Sequence, residues 1–69
     1  MHVNGAGKGA RVSVYIHQFM ASGMMPSVST NDEGDAYITL DTDNHAEAEI
    51  YIDGQLRVKR GSIQDTYYI

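Results

Sequence analysis

The amino-acid sequence predicts an all-β fold, a small antiparallel β-sandwich or a partly open barrel of about five to seven strands. Three segments, 12–16, 36–40 and 48–52, carry apolar residues at every second position. A period of two places alternate side chains on opposite faces of a strand, whereas a helix requires a period near 3.6. Residues that favour turns separate the three segments, so the chain can reverse direction between them.

The first strand of this pattern is predicted to begin at Arg11. Its two faces differ sharply in character, with Val12, Val14 and Ile16 facing the core and Ser13, Tyr15 and His17 on the opposite side. Residues 1–10 contain glycine at positions 5, 7 and 9 and show no strand period. The sequence therefore predicts a flexible glycine-rich arm at 1–10 and a single β domain at 11–69.

A tight hairpin is predicted before the second alternating segment. A three-residue loop at 32–34 would place Gly34 in the left-handed conformation, where a side chain costs free energy. The resulting register pairs residues 28–30 with residues 36–38, so that apolar side chains meet on one face.

A second hairpin is predicted near Asp53 and Gly54. This residue pair is typical of a two-residue type I′ turn, but a two-residue loop would pair apolar positions of one strand with polar positions of the other. A three-residue loop at 53–55, or a bulge with the same effect, pairs Ile50 with Val58. The last predicted strand is 65–69, in which Tyr67 would help to close the core.

Charge is strongly segregated along the chain. The net charge is −4, all nine acidic residues follow position 31, and eight of them lie in a stretch without Lys or Arg. Nucleic-acid binding usually starts from a clustered positive surface, so no direct nucleic-acid partner is expected. The acidic stretch is interpreted either as solvated strand faces or as a patch for a basic partner, formed by Asp41, Asp43, Glu47 and Glu49.

The size of the chain limits its stability. It has 69 residues and no cysteine, and a core of this size contributes a net ~3–5 kcal/mol without disulfides. Self-association would add apolar burial, so a homo-oligomer is expected. No apolar run approaches the ~20 residues of a membrane-spanning helix, and no membrane partner is expected.

Motifs that suggest cofactor or metal chemistry are incomplete. The glycine-rich segment 5–9 has no strand before it and no Ser or Thr after Lys8, which a phosphate-binding loop requires. The segment that begins at Asp41 resembles the start of an EF-hand loop, but Ala46 and Ile52 occupy the positions that need Gly and Glu. A weaker calcium site at Asp41 and Asp43 stays open, and no cofactor is predicted.

No catalytic residue is predicted either. The three histidines are widely separated in the sequence. The nearest approach to a general base is His17, with Thr39 or Glu49 as its expected neighbour, and no nucleophile is indicated beside it. The sequence is therefore interpreted as that of a protein that is not an enzyme.

Tyrosines mark the outward positions of the predicted strands. Tyr15, Tyr37 and Tyr51 are all expected to point away from the aliphatic core, accompanied by Arg57. Such amphipathic side chains suit contact surfaces for a protein partner, for a second copy of the chain or for a sugar. The alternative is that they face the second layer of a sandwich or lie singly on the surface.

Three stretches, GKGARVSVY at 7–15, STNDEGDAYI at 29–38 and IYIDG at 50–54, resemble the carboxypeptidase-regulatory-like or transthyretin-like β-sandwich modules. In that family a strand of alternating valines follows a glycine, and a Thr-Asp-x-x-Gly turn comes next. Asn31 stands where the turn aspartate is usual. The resemblance implies an immunoglobulin-like fold and a non-catalytic accessory or adhesion module, often one domain of a larger surface protein.

The sequence thus favours a non-catalytic module for protein–protein interaction or structural assembly. One alternative is a small acidic inhibitor, of phage origin for instance, that binds a basic nucleic-acid-binding protein. A carbohydrate-binding module that uses the tyrosines is the third hypothesis.

Overall fold

A computed structural model describes residues 1–19, 22–42 and 45–69. Within these ranges the prediction of an all-β fold is confirmed, because every regular element is a strand and the strands form two sheets. The strands are β1 (His2–Asn4), β2 (Arg11–His17), β3 (Gly23–Met24), β4 (Val28–Ser29), β5 (Asp35–Tyr37), β6 (Glu47–Ile52), β7 (Gln55–Ser62) and β8 (Thr66–Tyr68). None of the described residues belongs to a helix able to cross a bilayer.

The larger sheet has five strands and is antiparallel throughout. Its order is β3-β2-β6-β7, and β4 pairs with β2 beside β3. Strands β2 and β6 form its centre, with Val12 opposite Ile52 and Val14 opposite Ile50. The alternation predicted for both strands is confirmed, since their aliphatic positions are buried and the intervening ones are partly exposed.

The smaller sheet has three strands in the order β5-β1-β8. Strand β1 is its middle member, antiparallel to β5 and parallel to β8. This parallel pair differs from the purely antiparallel pairing that the sequence suggested. It requires the first and last strands of the chain to meet, which no local pattern encodes.

The interpretation of residues 1–10 as an arm outside the domain is wrong. Val3 is fully buried, and the buried hydroxyl of Thr30 accepts a hydrogen bond from the Ala10 amide (2.8 Å) and donates one to the Gly7 carbonyl. The glycines adopt positive φ angles in the connection between β1 and β2. They form a turn within the fold. A high glycine content is compatible with a flexible segment and with a tight turn, so the content alone does not distinguish the two.

One core lies between the two sheets. Its buried apolar residues come from both layers: Val3, Ala10, Val12, Val14, Ile16, Ala36, Ile38, Ala46, Ala48, Ile50, Ile52 and Tyr67. Burial of Tyr67 agrees with the prediction for the last strand. Its hydroxyl accepts a hydrogen bond from the Gln64 amide (3.0 Å) and donates one to the Ser62 carbonyl (3.2 Å), which meets the polar requirement of a buried phenol.

The turn at 32–34 forms as predicted, but its flanking strands diverge. Gly34 has a φ of 80°, and the Asn31 amide donates to the Asp35 carbonyl at 2.9 Å. Beyond that bond, β4 pairs with β2 and β5 pairs with β1. The predicted register of 28–30 against 36–38 is therefore wrong, and this turn carries the chain from one sheet to the other.

The second hairpin closes with a two-residue turn, so the preferred three-residue loop is wrong. Asp53 and Gly54 have φ angles of 51° and 82°, and Ile52 lies opposite Gln55. The register then shifts twice along β7, and Ile50 meets Val58 as predicted. Bulges on β7 thus restore the apolar pairing that the turn alone would have lost.

Candidate interaction surfaces

The structure does not bring the three predicted contact tyrosines into one patch. Tyr15 on β2 and Tyr51 on β6 belong to the five-stranded sheet, whereas Tyr37 on β5 belongs to the three-stranded sheet. The two sheets enclose the core between them, so their outer faces lie on opposite sides of the molecule. Each outer face is therefore a separate candidate surface.

The outer face of the five-stranded sheet carries a set of neighbouring apolar and aromatic side chains. Tyr15 lies opposite Met24, and Tyr51 lies opposite Leu56. Side chains at directly opposed positions share a face and touch across the strands. Met24 is 53% exposed and Leu56 is 46% exposed. We call these four residues the Tyr15/Tyr51 face.

Two polar side-chain pairs lie on this face and at its end. His17 Nε2 lies 2.5 Å from Glu49 Oε1, and the rings of Tyr15 and His17 are in tilted contact with centroids 4.7 Å apart. Arg60 Nε donates a hydrogen bond to Glu47 Oε1 at 2.9 Å. These contacts place polar side chains next to Tyr15 on the same face. Glu49 is thus the neighbour of His17 that the sequence suggested.

Of the four carboxylates proposed as an acidic patch, three belong to the part of the chain that the structure describes, Asp41, Glu47 and Glu49. Glu47 and Glu49 are each engaged by a basic side chain within the same sheet. Asp41 is exposed and borders a different groove of about 220 Å³, shared with Ile16 and Met25. Asp43 lies outside the described residues, so the calcium site suggested at Asp41 and Asp43 cannot be located there.

A polar groove of about 360 Å³ opens at the end of β2. His17, His45, Glu47 and Arg60 line it together with Phe19, which is 93% exposed. Within the described ranges, no three His, Cys, Asp or Glu side chains are grouped to hold a metal ion. Because the His17 and Glu47 side chains already have partners, the groove offers little free hydrogen-bonding capacity from these two residues.

Arg57 lies on β7, in the segment where the register with β6 shifts. It is exposed, and no ion pair joins it to any described residue. Its position is on the edge strand of the five-stranded sheet, next to Leu56. Arg57 is therefore a cation beside the Tyr15/Tyr51 face that has no ion-pair partner among the described residues.

The outer face of the three-stranded sheet holds a polar cluster that sequence reasoning missed. Asp35 Oδ1 accepts hydrogen bonds from Asn4 Nδ2 and pairs with His2 Nε2 at 2.8 Å. The His2 ring stacks on Tyr37 with centroids 4.6 Å apart and an angle of 7° between the planes. The Asn4 and His2 side chains hold the pKa of Asp35 below its ordinary value.

Two members of this cluster, His2 and Asn4, lie on β1, in the segment that the sequence predicts to be a flexible arm. The alternation of β1 extends over only three residues, which is too short to reveal a strand by its period. Tyr37 and Tyr68 stand exposed on the same face, at 66% and 81%. The cluster joins β1 to β5 and supports the middle of the smaller sheet.

Comparison with protein-family models, with characterised proteins and with solved structures finds no significant match to this chain. The resemblance to transthyretin-like modules therefore stays a prediction. Function has to be inferred from the surfaces that the chain itself presents.

Proposed function

We propose that this domain is a non-catalytic interaction module that self-associates through the Tyr15/Tyr51 face. The observation that carries the proposal is a set of two opposed pairs on one face of the sheet, Tyr15 with Met24 and Tyr51 with Leu56, in which the two tyrosines are diagonal neighbours on the central strands. Two of them, Met24 and Leu56, are about half exposed in the isolated chain. A second copy that covers this face would remove the four side chains from water together.

The residue types suit the centre of such an interface. Tyrosine brings a large apolar area with few rotatable bonds, so little conformational entropy is lost on contact. Methionine adapts its shape to an opposing surface. The pair of Glu47 with Arg60 lies at one end of the patch, where it resembles the polar rim that usually surrounds an apolar interface core. Glu49 lies opposite Tyr15 within the face, and its carboxylate is paired with His17.

Self-association would also compensate for the small size of the core, because it buries additional apolar area. The described core contains many small side chains, including four alanines, Ala10, Ala36, Ala46 and Ala48. Apolar burial contributes about 25 cal/mol per Å², so additional area at an interface adds directly to a thin stability margin. The module's place in a larger surface assembly, as the family resemblance implies, forms part of the same proposal.

Sedimentation velocity over a concentration series tests the proposal. The native chain is expected to shift from monomer to dimer as its concentration rises. Tyr51→Ser should weaken the dimer about tenfold or more, because truncation of a central tyrosine typically costs more than 1 kcal/mol. Tyr68→Ser is the matched control, since Tyr68 is 81% exposed on the opposite sheet.

Two results would contradict the proposal. One is a native chain that stays monomeric up to the highest soluble concentration. The other is a dimer that Tyr68→Ser weakens and Tyr51→Ser leaves intact, which would assign the contact to the three-stranded sheet.

A further inference from the structure

Strand β7 presents a long edge that lacks a partner strand. It runs over eight residues, Gln55–Ser62, and is the terminal strand of the five-stranded sheet. One edge pairs with β6. Throughout the described ranges, no other strand pairs with the second edge. Backbone donors and acceptors on such an edge are a template for an added strand.

The side chains of this edge are basic, although the chain as a whole is acidic. Arg57, Lys59 and Arg60 are three cations within four positions of a chain whose net charge is −4. Arg60 is paired with Glu47. Arg57 and Lys59 are exposed, and neither forms an ion pair with a described residue. Their charges are thus available to a ligand that approaches the free edge.

Strand β6 already pairs with one edge of β7, and its sequence is therefore an example of a strand that fits beside β7. Its sequence, EAEIYI, alternates acidic or polar residues with apolar ones. It is bound by main-chain pairing, by the contact of Ile50 with Val58 and by the ion pair of Glu47 with Arg60. Because strand side chains point to the two faces of the sheet, the same cations can be reached from either edge.

We infer that the free edge of β7 binds an extended acidic segment of a partner protein as an additional strand of the sheet. Main-chain hydrogen bonds would supply the attachment, and Arg57 and Lys59 would select acidic side chains by charge complementarity. This inference goes beyond the proposed self-association, because it uses an edge of the sheet and not its face.

A second copy of the chain is a poor occupant of this edge. Two β7 strands related by a two-fold axis would place Arg57 and Lys59 of one copy near the same cations of the other, and like charges across a strand pair are destabilising. The cations of β7 likewise disfavour pairing with a basic strand. Charge therefore distinguishes an acidic partner from a second copy of the chain or from a basic segment.

Fluorescence anisotropy with labelled eight-residue peptides tests the inference. An alternating valine and glutamate peptide is expected to bind the native chain about tenfold or more tightly than an alternating valine and lysine peptide. The valine and glutamate peptide with alternate backbone nitrogens methylated should not bind, since it cannot form the ladder. Amides within residues 55–61 should gain protection from hydrogen exchange when the peptide is bound.

Paired variants isolate the role of the two cations. Arg57→Gln with Lys59→Gln should weaken binding of the acidic peptide about tenfold, because two charge pairs are lost. Lys8→Gln with Arg11→Gln removes the same net charge from exposed sites outside β7 and should leave binding unchanged. Binding should also weaken as salt is raised, since exposed charges are screened.

Several results would overturn the inference. These are equal binding of the acidic and basic peptides, full binding of the methylated peptide, protection at β5 or β8 in place of β7, or tighter binding of a single-stranded DNA of equal length. The measurement is repeated in Tyr51→Ser. Retained peptide binding in a chain that no longer dimerises separates this site from the Tyr15/Tyr51 face, and loss of binding in that variant would contradict an independent edge site.

Discussion

Asp35 is the side chain whose ionisation is most directly tied to the fold. It lies on β5, and its side chain is 11% exposed. Its carboxylate is hydrogen-bonded to the side chains of Asn4 and His2, which both lie on β1. Both of these contacts favour the charged form of the carboxylate. The ionised form of Asp35 therefore stabilises the contact between the first strand and β5.

The pH dependence of unfolding should reveal this contact. The folded-state pKa of Asp35 lies below the ordinary value of 3.8, so its contribution is fully present above that value and is lost as the pH falls through the lower folded pKa. We expect Asp35→Asn to lower the urea midpoint near neutral pH, and the difference from the native chain to shrink as the pH falls below 3.8.

Asp32→Asn is the control for that measurement. Asp32 pairs with Lys8 at 3.5 Å, and both side chains are largely exposed, so its loss should change the midpoint little at any pH. A difference between the native chain and Asp35→Asn that persists undiminished in strong acid would show that the carboxylate charge is not responsible.

At the scale of strands, the sequence predicts local features, such as the alternation of a strand or the position of a turn. It does not predict which strands pair when they are far apart in the chain. The alternation of β2 and β6 is a period of two over at least six residues, and burial of one face follows from it. The turn at Gly34 is likewise local, because it depends on one residue that tolerates a positive φ. These elements were predicted and are observed.

Apart from the length of the loop at Asp53, the errors concern which strand pairs with which. A turn fixes the backbone at its centre but does not determine whether its flanking strands stay together, and β4 and β5 part into different sheets. A period of two shows that Tyr37 points away from the core but does not reveal which layer holds it. For this reason the sequence does not reveal that Tyr37 lies on a different sheet from Tyr15 and Tyr51, opposite His2 of β1.

The parallel pair of β1 and β8 can be tested at Gly5, which follows β1. Its φ is 92°, and a Cβ there would lie 2.6 Å from the carbonyl oxygen of Ile69. Gly7 has a similar φ of 89° with open space around the same position. We expect Gly7→Ala to cost about 1–2 kcal/mol for backbone strain alone, and Gly5→Ala to cost clearly more because the backbone at Ile69, directly after β8, must also move.

Chemical unfolding of both variants gives the comparison, with the unfolding free energy as the quantity measured. The two substitutions change the unfolded chain alike, so the difference between them reports on the contact with Ile69. Equal destabilisation would mean that β8 does not lie against Gly5 in solution.

At the scale of the whole molecule, the fold is compact, but a core of this size gives only a small free energy of unfolding. Its radius of gyration is 11.2 Å, close to the ~11 Å expected for a compact chain of this length. Folding also brings the segregated charges together, because the acidic strand β6 lies beside the basic strand β7 and Glu47 meets Arg60. The aromatic and apolar side chains that remain outside the core are divided between two faces.

A chain with so small a core should gain measurable stability from dimerisation. If two copies associate through the Tyr15/Tyr51 face, unfolding is coupled to dissociation, and the Tm should rise by about 3–6 °C for each tenfold increase in protein concentration. Differential scanning calorimetry over a hundredfold range of concentration measures this dependence. Tyr51→Ser should weaken the dependence of the Tm on concentration, whereas Tyr68→Ser should preserve it.

Moderate salt should raise the Tm of the native dimer, since copies of net charge −4 repel one another at low ionic strength. A native Tm that is independent of concentration across the range would show that the domain is stable as a monomer and that this face serves another purpose.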